Sequence, residues 1–285
     1  MNARKISNFL KDAFNSLNKS AIPLYYFSAR KNFGDEIGPF IASTETSQPF
    51  FNVRDLPWEV DHSYCMVGSL LHSLNKRNCI VWGSGFICSP DDQKPKFSPK
   101  RILALRGPIS SKFAEDLGWG KCDIYGDPGL LIPQYLPPDP KQEKKNIVVI
   151  PHYQFASAHK IELDNVEIVH PSRDLKDVAQ SIASAELVIS SSLHGIILAE
   201  AYRTPWVWWR QTTDTRKGAE LKFQDFFQSL GITSPNFLVD DFYNNNPTSK
   251  ILHSLGNLGK DSEYQAAVER LNDSKPRFNQ NDLNL

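Results

Sequence analysis

The sequence predicts an α/β protein built as two Rossmann-like halves, and three observations predict it. Short apolar runs alternate with segments of helical or loop character along most of the chain, a pattern that favours parallel sheets. With 285 residues, 40% of them hydrophobic, the chain can bury a substantial core and is long for one doubly wound sheet. Near the middle, Pro133, Pro137, Pro138 and Pro140 lead into Lys141-Gln142-Glu143-Lys144-Lys145, the composition of an interdomain linker. The expected division is 1–137, 146–243 and a C-terminal helical and partly disordered tail over 244–285.

Ile6, Phe9, Leu10, Ala13, Phe14 and Leu17 recur at helical spacing, with Lys5, Lys11 and Lys19 off the stripe. Residues 5–18 therefore read as an amphipathic helix whose stripe packs on the core in preference to a membrane. Strands are expected at 24–27, 64–67, 79–82 and 102–105. After Leu105, Arg106-Gly107-Pro108 opens a helix over 109–117, with Pro108 in its first turn and Gly118 at its C-cap. The second half restarts with strands at 147–150 and 166–169, a helix over 175–185 and a strand at 187–189. Ser190-Ser191-Ser192-Leu193-His194-Gly195 then joins that strand to a helix over 196–202, and Pro205-Trp206-Val207-Trp208-Trp209 reads as another buried strand. A last helix is expected at 262–271, and the final ten or so residues are expected to be poorly ordered.

Lys plus Arg number 32 and Asp plus Glu number 32, so no overall charge advertises a nucleic acid or an acidic membrane, and any anion recognition must be local. The four cysteines, Cys65, Cys79, Cys88 and Cys122, form no CxxC pair and sit beside apolar residues, as reduced, buried small hydrophobes do. The acidic residues form no recognisable metal-ligand set, and no metal is expected. No run of about 18 apolar residues occurs, which places the expected protein in the cytoplasm, with peripheral contact at the inner membrane or with assembly machinery left open.

Ligands of open α/β sheets bind outside the carboxyl ends of strands, where helix amino termini offer unpaired N–H groups. Ser192, Leu193, His194 and Gly195 occupy such a junction. His194 is either a general acid whose protonation follows an arriving anion or a core histidine bonded to backbone. Arg106 holds the equivalent position in the first half, where its planar fork suits phosphate or carboxylate, or else caps a loop. The turn Asn32-Phe33-Gly34-Asp35-Glu36-Ile37-Gly38-Pro39 belongs on a cleft rim, with Asp35 capping a helix or orienting a hydroxyl. Gly83-Ser84-Gly85 permits close backbone approach without full dinucleotide-binding spacing, and Asp127 in Gly126-Asp127-Pro128-Gly129 reads first as a turn residue. His152 and His170 end strands of the second half, where either lines the cleft or serves structure. The tryptophans at 206, 208 and 209 stack on a sugar or fill the core.

Taken in order, residues 32–39, 82–86, 104–108, 125–133, 147–153 and 191–201 resemble the polysaccharide pyruvyl transferase family, in particular its bacterial exopolysaccharide ketalases, over about residues 23 to 232. The resemblance implies a fold similar to GT-B glycosyltransferases, two Rossmann-like domains facing across a cleft, with the acceptor on the first domain and the donor on the second. It implies phosphoenolpyruvate as donor, no separate cofactor, and a sugar, oligosaccharide or lipid-linked saccharide that receives pyruvate as a cyclic ketal on two hydroxyls. It also implies donor-binding or catalytic roles for His194 and Arg106, and for Lys222, which precedes Phe226 and Leu230-Gly231. Ser192 stands where a common form of the family motif has arginine, and Arg173, Arg210 or Arg216 could supply that charge. The expected mechanism has His194 protonate the donor's methylene carbon while His194 or Asp35 accepts hydroxyl protons. Two rivals stay open: a nucleotide-sugar glycosyltransferase and a non-catalytic carbohydrate-binding component of an assembly complex.

Overall fold

Two five-stranded sheets, each wholly parallel, organise the chain. The structure, a computed structural model, describes residues 3–139, 146–152, 166–210, 218, 220–238, 252, 254–279 and 282. The first half contains α1 (Ala3–Asn15), β1 (Ile22–Leu24), α2 (Phe33–Thr46), β2 (Phe50–Asn52), β3 (Ser63–Cys65), β4 (Cys79–Trp82), β5 (Arg101–Ala104), α3 (Pro108–Asp116) and α4 (Ile132–Tyr135). Its strands lie in the order β2-β1-β3-β4-β5. The second contains β6 (Asn146–Ile150), β7 (Val166–Ile168), α5 (Leu175–Ala183), β8 (Ala185–Ser190), α6 (Leu193–Ala201), β9 (Trp206–Trp209), α7 (Leu221–Ser229) and β10 (Phe237–Leu238), with strands in the order β10-β9-β8-β6-β7; α8 (Asp261–Asp273) follows.

The central strands are continuous apolar runs because helices cover both faces of a parallel sheet. Ile80, Val81 and Trp82 in β4, and Leu187, Val188 and Ile189 in β8, are completely buried. One apolar cluster crosses both halves, joining Ile37 and Ile41 of α2 to Ile196 and Ile197 of α6. All four cysteines are free and buried, as expected. Trp206 stacks on Phe227 at 5.2 Å between ring centroids and Trp208 on Phe223 at 4.9 Å, so these two rings serve the core. Among the described residues no helix is long and apolar enough to cross a membrane.

Several expectations are corrected. Strands β2 and β10, of three and two residues, are too short for alternation to register. Helix α6 starts at Leu193, three residues before the expected helix, so His194 lies within its first turn. The stripe of α1 does not all pack inward. Phe9 and Ala13 meet the core, whereas Ile6, Leu10, Phe14 and Leu17 are 42%, 61%, 76% and 80% exposed. The tail also departs from expectation: Phe278 and Asp282 are buried, and Tyr64 Oη donates to Asp282 Oδ2 at 2.8 Å. Trp82 Nε1 donates to Ser274 Oγ at 3.2 Å, so the segment after α8 returns to the first sheet. Of the expected linker, Ile132–Tyr135 is helical and 140–145 lie outside the described residues.

The halves are locked by a buried ion pair. Arg106, between β5 and α3, and Asp225, on α7, are both fully enclosed. Arg106 Nε donates to Asp225 Oδ2 at 3.0 Å, and Ser110 donates to the same carboxylate through its N–H at 2.9 Å and its hydroxyl at 2.6 Å. Asp225 thereby caps α3 from the opposite half, where the Gly107 N-cap has no side chain to do so. Gly107 is required because a Cβ there would stand 1.9 Å from the Asp225 carbonyl oxygen. Arg106→Ala is expected to cost about 3–5 kcal/mol, because it strands a buried carboxylate. Adding Asp225→Leu should recover part of that loss. Denaturant unfolding of the single and double variants checks this, and wild-type stability in Arg106→Ala would refute the lock.

Candidate functional site

A cavity of about 390 Å³ opens at the carboxyl ends of strands from both sheets, the place where open α/β sheets bind ligands. From the first sheet come Phe27, Arg30, Asn32 and Asp35 after β1, Arg54 after β2, and Ser69 and His72 after β3. From the second come His152 after β6, His170 after β7, and Ser192, Leu193 and His194 after β8, with Lys222 from α7.

The turn before α6 is built by its serines. Ser190 Oγ accepts from the Ser192 N–H at 3.0 Å and donates to the Ser192 carbonyl at 2.8 Å. Gly195 fits this turn because a Cβ would stand 2.4 Å from Ser190 Oγ. The first helical residues, Leu193 and His194, present N–H groups that have no intrahelical acceptor. Ser191 Oγ accepts from the His152 N–H at 2.6 Å, tying the ends of β6 and β8 together.

His194 lies directly over Gly34 in the first turn of α2; a Cβ on Gly34 would stand 2.1 Å from its Nδ1. Its Nε2 is enclosed without a hydrogen-bond partner among the described residues. Burial, reinforced by Lys222 and Arg106, holds the imidazole down at about 3, so it is neutral when the cavity is empty. Asp35 shows the complementary effect. Burial pushes its carboxyl up to about 7, against the opposing pull of Arg54 and Lys222. The cap of α2 is Asn32, whose side chain accepts from the Gly34 N–H at 3.0 Å. Asp35 is thus not the cap that the turn suggested and faces the cavity instead.

Asn32, Asp35, His152, His170, Ser192, Leu193, His194 and Lys222 share the cavity wall, and Gly34 backs it. Other candidates lie elsewhere. Arg106 gives NH1 to Ser69 Oγ and NH2 to the Phe86 carbonyl, each at 2.6 Å, besides its bonds to Asp225. Four of its five N–H donors are thus engaged within the protein, and it reaches the cavity through Ser69. Gly85 lies under the Arg106 guanidinium, 2.6 Å from a hypothetical Cβ, and Gly83, at φ +89°, packs against Pro128. Ser84 Oγ donates to the Gly68 carbonyl at 2.8 Å. Asp127 accepts from the Gly129 N–H at 2.9 Å and caps the short helix Pro128–Leu131, and burial pushes its carboxyl up to about 7. Arg173 is paired with Glu167 at 2.6 Å.

Arg30, Arg54, Ser69 and His72 escaped the sequence reading. Arg54 lies two residues past β2, so recognising that strand end would have singled it out; His72 lies in the short helix Leu71–Ser73 and gives no such signal. The Arg54 guanidinium stands 5.2 Å from the Phe27 ring centroid. His72 is held down at about 4, first by burial and then by Arg54, against a backbone hydrogen bond with Ser69.

Residues 50–209 match the polysaccharide pyruvyl transferase family, and the chain belongs to it. Succinoglycan biosynthesis protein ExoV of Rhizobium meliloti (strain 1021) is 26% identical over 229 residues, which cover 74% of this chain. The chain spans 65% of that protein's length. An uncharacterized protein of Acanthamoeba polyphaga mimivirus is 26% identical over 224 residues, covering 75% of this chain and 76% of its own. Among solved structures, the wall teichoic acid polymerase TagF aligns with a TM-score of 0.46 at 12% identity, covering 98% of this chain and 93% of its own.

The contact between Gly34 and His194 is open to direct test. Gly34→Ala must push the imidazole out of its enclosure, so the His194 C2–H resonance should titrate at least one unit higher than in the wild type. An unchanged NMR titration would remove the contact from the site.

Proposed function

We propose that the chain transfers pyruvate from phosphoenolpyruvate onto two hydroxyls of a saccharide, closing a cyclic ketal and releasing phosphate. The observation that carries this reading is one cavity holding a neutral histidine, a carboxyl poised near neutrality, and the cations Arg54 and Lys222. A small, multiply charged anion matches those cations and the open N–H groups of α6. Arg54 takes the place expected of Arg106, which is off the cavity wall and engaged with Asp225, Ser69 and Phe86.

The reaction needs one acid and one base, and the two environments separate the roles. An arriving anion raises both groups, so Asp35, already near 7, holds its proton firmly while His194 starts far lower. Asp35 then protonates the donor's methylene carbon, which becomes a methyl. The first hydroxyl oxygen attacks C2 and gives its proton to neutral His194. The bond from C2 to the phosphate oxygen breaks, the second hydroxyl attacks C2, and its proton restores Asp35. The proton held by His194 departs with phosphate, so one hydroxyl proton replaces that used at carbon and the other leaves with the product. This assigns the acid to Asp35 and the base to His194, reversing the order the sequence suggests, because Asp35 carries a proton to give and the unprotonated imidazole carries none.

His194→Ala and Asp35→Asn should each lower kcat by about 10²–10⁴-fold, with donor binding retained by calorimetry. Phosphoenolpyruvate well above its Kd should raise the unfolding midpoint, and a nucleoside diphosphate should not. Asp35 has a further signature. Its carboxyl rises on folding from an ordinary 3.8 to about 7, so its contribution to stability is present below about pH 4 and is lost as pH climbs through 7. Asp35→Asn should therefore be more heat-stable than the wild type at pH 8, by roughly several degrees. Near wild-type turnover in either variant, or stabilisation by the nucleotide alone, would overturn the proposal.

The exposed stripe of α1 belongs to the same reading. Ile6, Leu10 and Phe14 form an apolar face on α1, extended by Leu17 in the turn after it, with Lys19 following in sequence. Such a face suits the anionic surface of the membrane on which a lipid-linked acceptor would sit. The protein should sediment with phosphatidylglycerol vesicles and be released by Leu10→Glu/Phe14→Glu. Failure to sediment at low salt would remove the membrane from the reading.

A further inference from the structure

A second cavity, of about 240 Å³, continues from the first. The two share Phe27, Arg30, Lys31, Asn32 and Asp35, so a ligand held at Asp35 meets both. The second runs between α1 and α2: Asn8, Lys11 and Asp12 form one wall, Glu36 and Pro39 the other, and Tyr26 and Phe50 complete it.

Three features define what this space accepts. Lys11 and Arg30 face Asp12 and Glu36, while Lys31 is paired with Asp174 and Asp35 carries its proton, so the lining is close to charge balance and suits a neutral ligand with many donors and acceptors. Tyr26, Phe27 and Phe50 add aromatic surface, and the Tyr26 and Phe50 rings meet edge-on at 6.2 Å. Pro39 lies inside α2 and has no N–H for the Asp35 carbonyl, which is left without its usual helical donor.

The shape is held by the protein itself. Asn52 Nδ2 donates to the Tyr26 carbonyl and to Ser28 Oγ, both at 3.0 Å, and the Asn52 N–H donates to Asp12 Oδ1 at 2.9 Å. Asn15 Nδ2 donates to the Phe50 carbonyl at 3.1 Å, fixing α1 against β2.

We infer that this second cavity is a subsite for the sugar residue next to the one that receives pyruvate, making the enzyme selective for oligosaccharide over monosaccharide acceptors. The inference rests on the pyruvyl-transfer reading for its catalytic consequence, but binding of the second sugar can be measured without turnover.

The experiment pairs acceptors with the same terminal sugar: p-nitrophenyl β-glucoside against β-cellobioside, and β-galactoside against β-lactoside. Asn8→Trp fills the second cavity from α1 and touches nothing assigned to the first; Lys11→Ala removes a donor from the same wall. Saturation-transfer NMR on the full chain should show the second sugar of at least one disaccharide in contact with the wild type, and that signal should vanish in Asn8→Trp. With phosphoenolpyruvate present, kcat/KM for that disaccharide should exceed the monosaccharide's by tenfold or more. The ratio should fall close to one in Asn8→Trp and by about threefold in Lys11→Ala, with monosaccharide transfer unchanged. Loss of disaccharide contact in Asn8→Trp without any phosphate release would support the subsite and sink the pyruvyl-transfer reading. Absence of second-sugar contact in the wild type, or its persistence in Asn8→Trp, would overturn the subsite.

Discussion

The carboxylate of Asp225 is the point on which the two halves depend. It accepts from Arg106 and twice from Ser110, all on the first half, while itself belonging to α7 of the second. A charge at this depth is tolerable only with its partners in place, so the docking of α7 has little freedom. Lys222 lies one helical turn before Asp225 and lines the cavity. The ion pair thus sets where the Lys222 cation stands on the cavity wall.

That docking brings two helix starts together. The first turn of α2 lies under the first turn of α6, with no Cβ on Gly34 to keep His194 away. The Phe33 N–H donates to the Pro171 carbonyl at 2.9 Å, and Lys31 pairs with Asp174 at 2.5 Å, holding the α2 start against the second half. The enclosure that results penalises charge on His194 and Asp35 alike, leaving one unprotonated and the other near its midpoint. Paired groups separated in this way can move protons in opposite directions within one cavity.

Much of this was legible along the chain. The apolar runs of β4, β6, β8 and β9 are long enough to announce themselves, and Ser190 to Gly195 marks a strand handing over to a helix. His152, His170, His194 and Lys222 all reach the cavity. Arg106 was misleading because its position, after a strand and before a helix, is the one a ligand-binding residue would occupy. Only the fold reveals that Asp225, 119 residues later, is its partner. Arg54 was missed because β2 spans three residues, too few for a periodic signal; His72 was missed because it lies seven residues beyond β3, in the short helix Leu71–Ser73 that only the fold returns to the cavity.

By itself the sequence determined the alternation of strand and helix, the division into two parallel sheets and the family, because these depend on local periodicity and on short ordered motifs. The tertiary structure decided which polar groups are spent within the protein and which face the cavity, since that depends on partners distant in sequence. It also decided the protonation of His194 and Asp35. A side chain's proton affinity follows the water it loses and the charges brought beside it, and neither exists until the halves have closed on each other.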